Sequence, residues 1–158
     1  MVSASLDPGP DHVGPRYALY YLPPADSGLW RLGCRWLGRD RDSGYPASEG
    51  SVPPPYPDQH GLTQAPGHYG LHATLKPPFR LHHGCDETQL VDALRRFCVR
   101  HAPIPIPPLA LALMDGFVAL RPEREHAPLN ALAAACVRKF DTFRASLSDG
   151  ELRRRRQS

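Results

Sequence analysis

The chain has 158 residues, 41% of them apolar, and a formal net charge of +3: enough apolar material for the core of one ordinary domain, and too little charge to mark a strongly basic partner-binding class. Nineteen prolines exceed the usual share of about 5%, yet proline and glycine together stay below the roughly 25–30% of low-complexity chains, so the prolines belong to loops of a folded protein. No stretch approaches the roughly 18 uninterrupted apolar residues of a membrane span, and MVSASLDPGPDHVGP has no apolar segment of signal-peptide type, which sets the expected location in the cytoplasm with no membrane partner.

In chain order, residues 1–15, rich in Gly, Pro, Ser and Asp, read as a disordered leader, and the domain is expected over residues 16–147. The aromatic and aliphatic run RYALYYL, ending at Pro23-Pro24, predicts a strand. Asp26 and Ser27 offer N-caps to a helix in which Leu29, Leu32, Gly33, Trp36 and Leu37 recur at helical spacing. Residues 39–67 show no periodicity and read as a long loop. A second strand is expected from about Tyr69 to Lys76, interrupted at Pro77-Pro78, with FRL resuming it. DETQLVDALRRFCVRHA opens on Asp86-x-x-Gln89, the pattern of a capping box, and carries Leu90, Leu94, Phe97, Cys98 and His101 on one helical stripe.

PPLALALMDGFVALRPE reads as a β-hairpin turning at Asp115-Gly116, a pair suited to the positive φ angles of a type I′ turn. A last helix begins near Pro128 and runs through Leu129, Leu132, Ala133, Cys136, Val137 and Phe140. Residues 148–158 form a polar tail, whose Arg153 to Arg156 run reads as solvated charge and not as a nucleic-acid site. The order β, α, β, α, hairpin, α predicts an α+β sandwich, with helices packed on one face of a mainly antiparallel sheet. The sequence holds no Gly-x-Gly-x-x-Gly and no Walker motif, which argues against the common nucleotide-cofactor folds.

Cys34, Cys85, Cys98 and Cys136 show no C-x-x-C spacing and read as free thiols, three of them within apolar helical patterns. His82, His83 and Cys85 have no second Cys/His pair nearby, so a solvated turn is preferred there to a zinc site. His68 and His72 lie four strand residues apart, about 13 Å, too far for one ion unless the strand bends.

The segment HYGLHATLKPPFRL alternates: Leu71, Ala73 and Leu75 on one face of a strand, His72, Thr74 and Lys76 on the other. Residues two apart lie roughly 6.6–6.8 Å along a strand, so an imidazole and a hydroxyl can reach one phosphate-sized group. The imidazole moves a proton near neutral pH and the hydroxyl donates to an anionic oxygen.

The blocks RYALYYLPPADSGLWRLGCRWLGRD, HYGLHATLKPPFRL and LNALAAACVRKFDTFRASLSDGEL resemble an uncharacterised family often associated with phosphonate-utilisation operons. That family is grouped with the two-histidine phosphoesterases, relatives of RNA-ligase-like enzymes and cyclic phosphodiesterases. The resemblance implies a bilobal fold in which two His-x-Thr/Ser strands face one cleft. One histidine acts as base and the other as acid on a phosphodiester, without metal or other cofactor, while the hydroxyls hold the phosphate. His72 and Thr74 match the first motif. Lys76, Arg80, Tyr69 and Tyr17 are further candidates for phosphate or substrate contact, each with a packing or solvated role as its alternative. The expected partner is a small phosphoester or nucleotide-like substrate, ahead of RNA. The resemblance also implies a second His-x-Thr after SDGELRRRRQS, but none of His12, His60, His68, His82, His83, His101 and His126 has Ser or Thr two positions on. The expectation is therefore half of a catalytic pair, an incomplete second lobe, and a sheet edge open to self-association.

Overall fold

A computed structural model describes residues 2–5, 14–39, 43, 58–114, 116–147 and 152–153. It is an α+β structure whose described residues form four α-helices and two small sheets. The first sheet has the order β1 (Val2–Ser5), β2 (Arg16–Tyr21), β3 (Ala73–Phe79). The second is the hairpin of β4 (Leu109–Met114) and β5 (Phe117–Pro122). The single sheet expected from the sequence is thus divided. A strand at Val2–Ser5 also stands where the sequence suggests a disordered leader, its backbone joined to the sheet next to β2. Residues 6–13 of that leader, and all of the 148–158 tail except 152–153, lie outside the described residues.

The chain divides into two compact units, one formed by Leu19–Thr74 and one by Val2–Ala18 with Leu75–Ser158. In the first, α1 (Gly28–Leu37) starts where the Ser27 hydroxyl accepts from the Trp30 N–H and stops at Gly38, whose φ of 62° is left-handed. Its buried residues are Gly33 and Cys34, while Leu32 and Trp36 of the expected apolar stripe are exposed. Inside the expected loop lies α2 (Gln59–Gly67). Two glycines and Pro66 make it a poor helix by propensity, and polar contacts override that. Buried Gln59 donates through Nε2 to the carbonyls of Arg35 (2.9 Å) and Trp36, orphan acceptors at the end of α1. The buried Thr63 hydroxyl returns a bond to the Gln59 carbonyl at 2.9 Å. Residues 40–42 and 44–57 of the same loop are outside the described residues.

In the second unit, α3 (Glu87–Val99) carries the expected capping box. The Gln89 N–H donates to Asp86 Oδ1 at 2.8 Å and the Asp86 N–H to Gln89 Oε1 at 3.0 Å. Leu90 and Ala93 are its buried residues; Cys98 and His101, expected on the same stripe, are exposed. α4 (Ala127–Phe140) begins with Pro128 in its first turn and with His126 accepting from the Leu129 N–H. Phe140 is fully buried, with the Phe97 ring edge-on at 5.4 Å. Leu111 pairs with Leu120 and Met114 with Phe117, so two residues join β4 to β5. Gly116 holds φ 87° as a hairpin turn requires; Asp115 lies outside the described residues.

Candidate functional site

The strand expected from Tyr69 begins only at Ala73, because residues 68–70 belong to the turn that ends α2. The N–H groups of Tyr69 and Gly70 both donate to the Pro66 carbonyl, at 3.2 and 3.1 Å. Arg39 clamps the same turn, donating from Nη1 to the carbonyls of Gly67 (2.5 Å) and His68 (3.1 Å). Gly70 takes φ 76°, and a Cβ there would sit 2.9 Å from Arg39 Nε. This bend removes the extended geometry assumed between His68 and His72.

The turn fixes the imidazole of His72. Its Nδ1 lies 2.8 Å from the Gly70 carbonyl oxygen. A carbonyl only accepts, so Nδ1 carries the hydrogen, and in the neutral ring Nε2 holds the free lone pair. The ring of Tyr20 stacks obliquely on His72 with centroids 4.2 Å apart, and that of Tyr69 stands at 6.2 Å. Tyr69 is 52% exposed and meets His68 edge-on at 5.1 Å. Burial, and then the neighbouring Tyr69, push the Tyr20 phenol above its ordinary value, so it stays a neutral donor. Thr74, two residues beyond His72, is exposed on β3. Nδ1 is thus committed to the backbone, Nε2 keeps its lone pair, and the Thr74 hydroxyl follows two residues on.

The remaining candidates are held elsewhere, in the second unit. Lys76 is 3% exposed. Its Nζ donates to Asp141 Oδ1 at 3.1 Å and to the Val137 carbonyl at 3.4 Å, and it lies 5.0 Å from the Phe79 ring centroid. Alternation thus does not divide β3 into an apolar and a chemical face: Lys76 is buried while Ala73 is exposed. Arg80 donates from Nη1 to the Gly14 carbonyl. Tyr17 is buried, with its hydroxyl 3.3 Å from Glu87 Oε2, and burial followed by Glu87 raises its phenol.

The residue that sequence reasoning missed is Tyr20. Among the described residues no group of three or more His, Cys, Asp or Glu side chains converges to hold a metal ion, His82, His83 and Cys85 included. No helix among them is long and apolar enough to cross a membrane.

No solved structure matches the chain. Over 144 residues it is 37% identical to the ribose 1,5-bisphosphate phosphokinase PhnN of Janthinobacterium sp. (strain Marseille), covering 90% of this chain and 32% of that protein. Over 138 residues it is 35% identical to the protein of the same name from Laribacter hongkongensis (strain HLHK9), covering 82% of this chain and 31% of that protein. The chain spans about a third of the length of these curated relatives, and the name describes those whole proteins. The model of the family described as "Protein of unknown function (DUF1045)" matches residues 74–158, more than half of the chain, and the chain belongs to that family.

Proposed function

We propose that the chain acts in phosphonate metabolism as a phosphoesterase of the two-histidine type, on a cyclic phosphodiester or nucleotide-like substrate, with His72 and Thr74 as its reacting pair. The observation that carries this reading is the Nδ1 bond from His72 to the Gly70 carbonyl, which leaves Nε2 for proton transfer. Nε2 takes the proton of an attacking hydroxyl or water, or returns one to the leaving oxygen. The Thr74 hydroxyl donates to a phosphate oxygen. Tyr69, exposed beside His72, offers a ring to a sugar or base. Lys76 has its charge met by Asp141, so its part is to hold the second unit together. Support for a phosphorylated ribose as substrate comes from the name of the two relatives, and the absence of a metal requirement follows from the family resemblance.

The 158 residues contain one His-x-Thr, and a positioned acid or base contributes about 10²–10⁴ in rate. Turnover of a 2′,3′-cyclic nucleotide by this chain is therefore expected to be slow and dependent on His72. Fast hydrolysis that survives His72→Ala overturns the mechanism. The same single motif favours a second reading, a binding module that holds a phosphorylated ligand or RNA end. Saturable, His72-dependent binding in calorimetry with no turnover selects it.

A further inference from the structure

The segment His82-His83-Gly84-Cys85 holds a second chemical group that the His72 reading does not use. Its backbone is fixed on two sides. Leu81 bridges Arg144, the His82 N–H donates to the Phe143 carbonyl at 3.0 Å, and the Ala145 N–H donates to the Arg80 carbonyl at 2.8 Å. Within the turn, the Cys85 N–H donates to the His82 carbonyl at 3.1 Å, and Gly84 takes the left-handed φ of 90° that closes it.

This frame brings Cys85 Sγ to 3.1 Å from His82 Nε2. His82 Nδ1 lies 2.6 Å from the His83 carbonyl oxygen. That oxygen only accepts, so Nδ1 carries the ring hydrogen and Nε2 receives the thiol hydrogen of Cys85. A nucleophile, a base in contact with it and a third group that orients the base are the three parts of an activated thiol. Cys85 immediately precedes Asp86, the N-cap of the 13-residue α3. The Asp86 carboxylate is itself bound to the Gln89 N–H. Of the other thiols, Cys34 and Cys136 are buried, and Cys98 is exposed on α3.

We propose that Cys85, with His82 as its base, is a thiol modification site that takes a hydroperoxide as its electrophile. His82 Nε2 accepts the thiol proton, and the Cys85 sulfur attacks one peroxide oxygen. The O–O bond breaks as the S–O bond forms. Sulfur gives up two electrons to become a sulfenic acid, and the departing oxygen takes the proton from His82 and leaves as water or an alcohol.

The test is competitive labelling of the fully reduced 158-residue chain, first with limiting iodoacetamide and then with hydrogen peroxide plus dimedone, each followed by peptide mapping. Exposure alone ranks Cys98 first. The dyad makes Cys85 react roughly 10-fold faster than Cys98 in the folded chain, an advantage that disappears in urea, where the His82 contact is lost. His82→Gln lowers the Cys85 rate to that of Cys98 and leaves Cys98 unchanged. Equal or faster labelling of Cys98 in the folded chain overturns the proposal, as does a Cys85 rate indifferent to His82→Gln. Because the comparison of the two thiols needs no variant, a poorly folding His82→Gln does not remove the test.

Discussion

At the scale of single residues, a histidine is useful for proton transfer when one ring nitrogen is committed and the other is left for the substrate. At His72 the commitment is made by a backbone carbonyl two residues earlier, and that carbonyl is aimed by Gly70 in the left-handed region. Gly70→Ala forces a Cβ into that conformation and against Arg39. It is expected to cost about 1–2 kcal/mol, seen as a lower urea midpoint with an unchanged m value, and to lower any His72-dependent activity together with it. His72 and Thr74 are singled out in the sequence by alternation and by the family motif, but the alternation does not carry into β3, where Lys76 is buried and Ala73 exposed. Gly70 and Tyr20 were not legible there, because the strand was expected to start at Tyr69, and an early strand start hides both the turn and the ring packed on the histidine. Lys76 shares the parity of His72, yet its partner Asp141 is 65 residues away, a pairing that no local pattern announces.

At the scale of elements, the segment leading into His72 is positioned by helix packing. Gly33 of α1 lies so close to Leu71 that a Cβ would stand 2.6 Å from Leu71 Cδ2 and 2.7 Å from Leu71 Cβ. Gly33→Ala is therefore an overpacking change, expected to destabilise by about 1–3 kcal/mol and to disturb residues 70–72; a thermal melt and an NMR spectrum of the His72 ring check both effects. Helix starts marked by local chemistry were readable: Ser27, the Asp86–Gln89 box and Pro128 all sit where the sequence puts them. α2 was not, since its stability comes from Gln59 reaching the end of α1 and not from its own composition.

The end of α4 supplies a pH test. Hydrogen bonds from Arg144 and then Lys76 hold the Asp141 carboxyl at about 2, below its ordinary 3.8. A lowered carboxyl contributes stability that is fully present above its ordinary value and disappears as pH falls through the folded one. Stability is expected to fall between about pH 4 and pH 2, and Asp141→Asn should flatten that stretch of the acid-unfolding curve. An unaltered curve in the variant would assign the acid transition to other carboxyls.

For the whole molecule, the most unusual surface is the hairpin. Residues opposite one another share a face, so Leu109, Leu111 and Leu113 of β4 line up with Pro122, Leu120 and Val118 of β5. Leu111, Leu113 and Val118 are 75%, 77% and 68% exposed, and no charged side chain interrupts the face. Among the described residues the two strands pair with each other alone, so both edges offer unused backbone groups. Such a face predicts concentration-dependent association of the chain, measurable by sedimentation velocity. Leu111→Lys with Leu113→Glu should shift the population to monomer, and association unchanged by that pair would place the contact elsewhere. The hairpin itself was legible from its turn and its apolar runs. Its exposure was not, because a sequence shows which residues are apolar without showing what covers them.

The proposed function requires that His72, through Nε2 and with the Thr74 hydroxyl, engage a phosphoester. Its most direct test is a ligand titration of the chain with a 2′,3′-cyclic nucleotide, followed by NMR of the His72 imidazole and by calorimetry. Saturable binding is expected, one that moves the His72 Nε2 resonance, weakens in Thr74→Val and is lost in His72→Ala while that variant keeps its fold. A His72 resonance unmoved at saturation, or undiminished binding by His72→Ala, would contradict it.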